Sequence, residues 1–245
     1  MSTSVECFHL NTVDGVVPVA VEFRSSHQAR RMKLSVLRGG KVRLTLPRGV
    51  RRADAVAFIQ EQAEWLVRTI NQTAPTQTVS SHLERFPWVS VAGKLCSLEC
   101  AETMVRPFLV FREGEELVIF RYRGGEHHER DLLYLLRKLA VETLPGRVQF
   151  LADRIAIPFG RVSVRDQQGR WGSCSTQGTV SLNWRLVLLP PVLQDYVILH
   201  ELAHRRHMDH SERFWAQVAA WDPDWKKDDR TLTKQWGGLM DLGRE

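Results

Sequence analysis

The 245-residue sequence has no apolar run approaching the length that a bilayer-spanning helix needs, which is about 20 residues. Residues 1–11 include Glu6 and His9 and lack the basic and apolar regions of a signal peptide. The four cysteines form no Cys-x-x-Cys pair, which favours reduced thiols over a disulfide framework. These absences predict a cytoplasmic protein that makes no membrane contact.

Acidic residues are absent from one stretch of the chain. The segment Arg24–Arg52 contains ten lysines and arginines and no aspartate or glutamate. Since the net charge of the whole chain is +6, the remainder is net negative. Such a strip favours contact with phosphate or nucleic acid through Lys33, Lys41 and Arg43, although cations also keep an exposed sheet edge soluble.

The basic strip also has the alternating pattern of a β-hairpin. A three-residue loop over 38–40, with Gly40 in the left-handed region, would pair Val36 with Val42 and Leu34 with Leu44. This register places the apolar side chains on one face and the basic side chains on the other.

The remaining periodicity predicts an α+β protein. We expect a helix over 53–71, a polar linker over 72–81 and strands within 86–122. A helix over 129–155 should be kinked or divided at Pro145. Further strands and two helices follow. The predicted division is a β-rich N-terminal region over 1–125, with the basic hairpin and one helix, and a second domain over 126–245.

A His-Glu-x-x-His pattern lies in the apolar helical segment that follows Pro190-Pro191. At 3.6 residues per turn, His200 and His204 share one helix face, where both can reach one metal ion. Glu201 lies to the side, placed to accept a proton from a water molecule bound to that ion. This spacing predicts a catalytic metal site.

A third ligand is expected, because catalytic zinc usually has three protein ligands and one open position. His207 lies too far along a straight helix and suits a helix-end or supporting role. His210 can reach the ion if the helix ends near His207 and the chain reverses, with Ser211 as the N-cap of the next helix. Other candidates for the third ligand are Asp209, Glu212 and Asp222.

Four motifs together resemble the YgjP-like family of metal-dependent hydrolases, and the likeness extends over most of the chain. They are Arg-Trp-Gly-Ser-Cys at 170–174, Ser-Leu-Asn-Trp-Arg-Leu at 181–186, the His-Glu-Leu-Ala-His segment and His-Ser-x-x-Phe-Trp at 210–215. The resemblance implies a zincin-like C-terminal domain with one Zn²⁺ on His200, His204 and His210. It also implies Glu201 as the general base.

Zincins bind extended substrates along a strand beside the active helix, and the candidate strand here is 179–186. Asn183 is a candidate substrate-binding residue, with local backbone bonding as the alternative. Arg170 is a second candidate, for a developing oxyanion or a phosphate, with a structural ion pair as the alternative.

The sequence therefore predicts a zinc-dependent hydrolase, in the first place a metallopeptidase acting on a peptide substrate. One alternative is a metal-dependent nucleoside triphosphate pyrophosphatase, because the same metal chemistry can attack phosphorus. Another is a nucleic-acid-associated zinc-binding module that uses the basic hairpin.

Overall fold

The computed structural model describes residues 3–13, 15–37, 40–72 and 78–244. The chain forms two compact units, Met1–Thr76 and Gln77–Glu245, and each has its own hydrophobic core. Seven α-helices and three sheets in the described residues confirm the predicted α+β class. No helix in this described part is both long and apolar enough to cross a membrane.

The first unit is a four-stranded sheet with two helices. Its elements are β1 (Thr3–Thr12), β2 (Gly15–Ser25), β3 (Lys33–Val36), β4 (Val42–Leu46), α1 (Arg52–Glu61) and α2 (Ala63–Gln72). The strand order is β1-β2-β4-β3, with β2 and β4 parallel. Alternating residues such as Val21 and Leu44 are buried beneath Ile59 and Leu66 of the helices. The core therefore lies on one face of the sheet.

The predicted hairpin register is confirmed. Leu34 pairs with Leu44, Val36 pairs with Val42, and Gly40 has a φ of 73°. Residues 38 and 39 of the predicted loop lie outside the described residues.

The cations of the basic strip differ in their exposure and in their ion pairs. Lys33 and Lys41 are exposed. Arg43 instead donates from Nε to Glu22 Oε2 at 2.9 Å, because the parallel pairing of β4 with β2 places these two residues opposite each other. This ion pair was not foreseen from the sequence, since Glu22 precedes the basic strip.

The prediction of a single helix over 53–71 is wrong, since two helices occupy this segment. They separate at Gln62, whose backbone has φ −97° and ψ 10° and whose N–H bonds to Ile59 O three residues back. The apolar spacing continues across the break because both helices bury the same face, and for this reason periodicity alone did not reveal it.

The second unit begins with a helix and a second four-stranded sheet. These elements are α3 (Val79–Arg85), β5 (Trp88–Val91), β6 (Lys94–Glu102), β7 (Phe108–Arg112) and β8 (Leu117–Tyr122). The strand order is β5-β6-β8-β7. Val89, Val118 and Phe120 are buried in one core with the long helix α4 (His128–Arg154). The sequence grouped these strands with the N-terminal region, whereas their shared core places them in the second unit.

The helix α4 runs through Pro145 as one 27-residue element, so it is not divided there. Proline lacks the N–H that would bond to Val141 O. Because Val141 is 58% exposed, water can satisfy that carbonyl group. The break in the hydrogen-bond ladder therefore falls on the solvent side of the helix.

The rest of the second unit builds the site. It contains a three-stranded sheet and three helices: β9 (Arg161–Arg165), β10 (Gly172–Cys174), β11 (Thr179–Asn183), α5 (Pro191–Ala203), α6 (Glu212–Trp221) and α7 (Trp225–Thr231). The strand order is β10-β11-β9, and β10 packs against α5.

Candidate active site

The helix α5 carries the two histidines of the motif on one face. It begins at Pro191, where the missing N–H leaves no helical bond unmade, and it ends at Ala203 with His204 as its C-cap. Leu193, Val197 and Ile198 are buried in the core. The packed helix therefore holds His200 and His204 on the side where they line the cleft.

A tight reversal after α5 brings His210 to the same point. The N–H groups of Arg205 and Arg206 bond three residues back, to Leu202 O and Ala203 O, which closes the helix end. The Nε2 atoms of His200 and His210 then lie 3.2 Å apart. One potential ligand atom from each of His200, His204 and His210 lies within 4.8 Å of the others.

The acidic candidates for a third ligand lie outside this cluster. In the described residues, the metal-binding group consists of the three histidines and includes none of Asp209, Glu212 and Asp222. Asp209 Oδ1 instead accepts a hydrogen bond from Ser211 Oγ at 2.9 Å. Ser211 does precede α6 as its N-cap residue, but its side chain makes no capping bond.

Phe214 forms the floor beneath the three imidazoles. It is fully buried, and its ring centroid lies 4.9, 4.6 and 4.8 Å from those of His200, His204 and His210. Trp215 also packs against the cluster, with its ring centroid 5.6 Å from that of His200. The first turns of α6 therefore fix the ring positions by packing.

His207 supports the cluster through its main chain. His204 Nδ1 lies 3.0 Å from His207 O, so Nδ1 donates and Nε2 keeps its lone pair. Burial lowers the pKa of His200 to about 4, and the charges of His204 and His210 act in the same direction. Burial likewise lowers the pKa of His204. The imidazoles of His200 and His204 are therefore uncharged at neutral pH, which is the form that binds a metal.

Glu201 lies beside the cluster in a close-fitting position. It is 6% exposed, and a Cβ atom on Gly172 would lie only 2.6 Å from its Cγ and 2.7 Å from its Oε1. Burial raises the pKa of Glu201 to about 8, while the charge of Arg170 opposes that shift. Strand β10 thus covers the carboxylate with the one residue type that leaves room for it.

A cleft of about 470 Å³ opens over the histidines and Glu201. Arg170 and the strand β10 line this cleft, and so do Tyr196 and Asp229. The hydroxyl group of Tyr196 donates to Asp229 Oδ1 at 3.0 Å. Sequence reasoning missed both residues: Tyr196 is four residues before His200 and on its helix face, whereas no pattern connects Asp229 to the site.

The predicted substrate strand is misplaced, because β11 lies between β10 and β9 and both of its edges are paired. The edge strand that lines the cleft is β10. Asn183 N donates to Trp171 O at 2.8 Å, so by alternation the backbone groups of Gly172 and Cys174 point away from β11.

Asn183 does not reach the cleft, and its assignment as a substrate-binding residue is wrong. It is completely buried, and its Nδ2 donates to Gln167 O at 3.0 Å and to Arg170 O at 3.2 Å. Its Oδ1 accepts from Arg185 N at 3.1 Å. The amide is therefore bonded to the backbone, which was the alternative interpretation.

Arg170 does line the cleft. Its side chain is exposed and forms no ion pair with the described part of the chain. A structural ion pair, the alternative interpretation, is therefore absent from those residues. The guanidinium group remains available to a ligand in the cleft.

Three converging imidazoles with an adjacent buried carboxylate are the residue set of a metallohydrolase. The sequence matches the family described as "YgjP-like, metallopeptidase domain" over residues 30–235, and the chain belongs to this family. The resemblance drawn from the four motifs is thereby confirmed.

Among solved structures, the metallopeptidase zymogen of Pyrococcus abyssi abylysin is similar to this chain, with 26% sequence identity and a TM-score of 0.33. The similarity covers 36% of this chain and 91% of that chain. None of the curated proteins compared with the chain matches it.

Proposed function

We propose that the protein is a zinc-dependent peptidase in which His200, His204 and His210 bind the ion and Glu201 is the general base. The observation that carries this proposal is the convergence of the three imidazoles, with Glu201 beside them, in one open cleft. Membership of a metallopeptidase family supports a peptide substrate. That family gives no support to the nucleotide and nucleic-acid alternatives.

The donor set fits zinc. Two nitrogen atoms that bind one tetrahedral zinc ion at about 2.0–2.1 Å lie roughly 3.3 Å apart. The separation of 3.2 Å between the Nε2 atoms of His200 and His210 agrees with this value. The ion, when bound, would act as a Lewis acid that polarises a carbonyl group and lowers the pKa of water.

Glu201 supplies the proton transfer. Its carboxylate would accept the proton of the attacking water and return it to the leaving amine. Burial against Gly172 limits its motion, so the base is held in one position. A cation on the three histidines would favour the ionised carboxylate and so oppose the rise in pKa that burial causes.

The edge of β10 offers a binding surface for an extended peptide. The outward backbone groups of Gly172 and Cys174 can form the main-chain hydrogen bonds of an added strand. The guanidinium of Arg170, which has no ion pair among the described residues, would neutralise negative charge that develops on the substrate carbonyl oxygen. Together these groups would hold the scissile bond between the edge strand and the histidines.

Zinc analysis and two substitutions test the proposal. Protein purified without added zinc should contain about one zinc per chain. His210→Ala should lose the ion, and His207→Ala should keep it, because His207 contributes only its backbone carbonyl group. Full zinc occupancy in His210→Ala would contradict the ligand assignment.

Glu201→Gln should keep zinc and lose peptide hydrolysis, whereas the exposed Glu212→Gln should retain activity. Casein and nucleoside triphosphates should be tested in parallel. Phosphate release without peptide products would refute the peptidase proposal, and an unchanged rate in Glu201→Gln would refute the role of the base.

A further inference from the structure

The loop over 166–171, between β9 and β10, is held by a network of ion pairs and hydrogen bonds. This loop brings Arg170 to the cleft. Its first residue, Asp166, accepts hydrogen bonds from three guanidinium groups, those of Arg137 at 2.6 Å, Arg185 at 2.6 Å and Arg244 at 3.2 Å. Three cations on one carboxylate exceed what charge balance requires, and their hydrogen bonds hold Asp166 in place at the start of the loop.

Arg185 connects this loop to the last residues of the described chain. Its side chain is completely buried, and its Nε donates to Leu242 O at 3.0 Å. Its Nη1 also donates to Asn183 Oδ1 at 3.2 Å. Since one amide oxygen accepts from Arg185, the amide nitrogen of Asn183 is turned toward the loop.

The loop receives these contacts on its backbone. Asn183 Nδ2 bonds to the carbonyl groups of Gln167 and Arg170, and Arg244 Nη2 also bonds to Gln167 O. A continuous chain of hydrogen bonds therefore runs from Leu242, through Arg185 and Asn183, to the backbone of Arg170.

We propose that Leu242 and Arg244 position Arg170 in the cleft by bracing the loop over 166–171. They are positioning residues, since neither lines the cleft. The functional part of this inference rests on the proposed function, in which Arg170 contacts the substrate. The brace is the set of contacts that runs from Leu242 and Arg244, partly through Arg185 and Asn183, to the loop. It is independent of zinc, because these contacts involve none of the three histidines.

A double-mutant cycle between Arg244 and Arg170 distinguishes positioning from general destabilisation. Arg244 is the accessible member of the brace, with a side chain 24% exposed, so Arg244→Ala should fold. Arg244→Ala should lower kcat/KM for a peptide roughly tenfold when Arg170 is present. In Arg170→Ala the same substitution should change kcat/KM by less than about twofold, because its target is already missing.

Arg112→Ala is the matched control, because Arg112 is an exposed arginine whose ion-pair partner among the described residues is Glu115. It should leave kcat/KM unchanged in both backgrounds. Equal losses from Arg244→Ala in both backgrounds, or no loss in either, would overturn the proposal.

Hydrogen exchange gives a readout that needs no activity. Arg244→Ala should speed exchange of the Asn183 amide, which donates to Trp171 O at the end of the loop, and leave α5 unchanged. If the wild-type protein cleaves no peptide, the proposed function fails, and the exchange result still decides whether the brace exists. Unchanged exchange of the Asn183 amide would overturn the proposal whatever the activity.

Discussion

Gly172→Ala offers the sharpest test of how β10 positions the general base. The added Cβ would lie 2.6, 2.7 and 2.8 Å from Cγ, Oε1 and Cδ of Glu201. Normal contacts between carbon atoms are about 3.5–4.0 Å, so the carboxylate or the strand must move by about 1 Å. Gly172 does not have a positive φ, so its backbone conformation suits alanine and the clash is the relevant perturbation.

The displacement sets the expected magnitude. A shift of about 1 Å in a catalytic group can reduce the rate roughly 100-fold, which corresponds to about 2.7 kcal/mol in the activation barrier. We therefore expect kcat for a peptide substrate to fall by about two orders of magnitude. Zinc content should remain at the wild-type value, because the clash involves Glu201 and none of the histidines.

The assay is steady-state hydrolysis of a peptide, with zinc per chain and Tm measured on the same preparation. Gly146→Ala is the matched control, because a Cβ there meets nothing within 4 Å and lies inside α4. It should keep kcat and gain up to about 1 kcal/mol in the free energy of unfolding. A Gly172→Ala protein with wild-type kcat would refute the reasoning.

Two further predictions concern stability. Phe214→Ala should lower the free energy of unfolding by about 3–5 kcal/mol and weaken zinc binding, because Phe214 is fully buried. Replacing the exposed Phe150 by alanine should change stability far less. Denaturant unfolding measures the stability of each variant, and zinc titration measures its affinity for the ion. A hydrogen bond from Arg123 lowers the pKa of Asp131 below its ordinary value of 3.8, so this group stabilises the fold at neutral pH and loses that effect as the pH falls through its folded-state pKa. The destabilisation in Asp131→Asn should therefore shrink in acid, and a difference independent of pH would contradict this assignment.

The sequence was most informative where the chemistry is local. The four-residue spacing of His200 and His204 fixes their common helix face, and the register of Val36 with Val42 follows from alternation and one turn. The structure also brings His210 to the two motif histidines, as the expected chain reversal requires.

Interactions between distant segments were not predictable. Pairing of β2 with β4 joins Glu22 to Arg43, and nothing in either strand encodes a parallel partner. Likewise, the sequence predicted 179–186 as the substrate-binding strand, and only the pairing of β11 on both sides shows that it is central. Asn183 carried the same ambiguity, because an amide suits a substrate carbonyl and a loop carbonyl equally well.

The bond from His204 Nδ1 to the main chain at His207 has a consequence for sequence variation. Because the acceptor is a peptide carbonyl, replacing the side chain at 207 leaves the tautomer of His204 intact. Proline is the exception, since His207 N also donates to Ala203 O at 3.1 Å. Related chains with the same metal-binding geometry can therefore carry almost any residue at this position, and the histidine there is not a useful marker of a functional site.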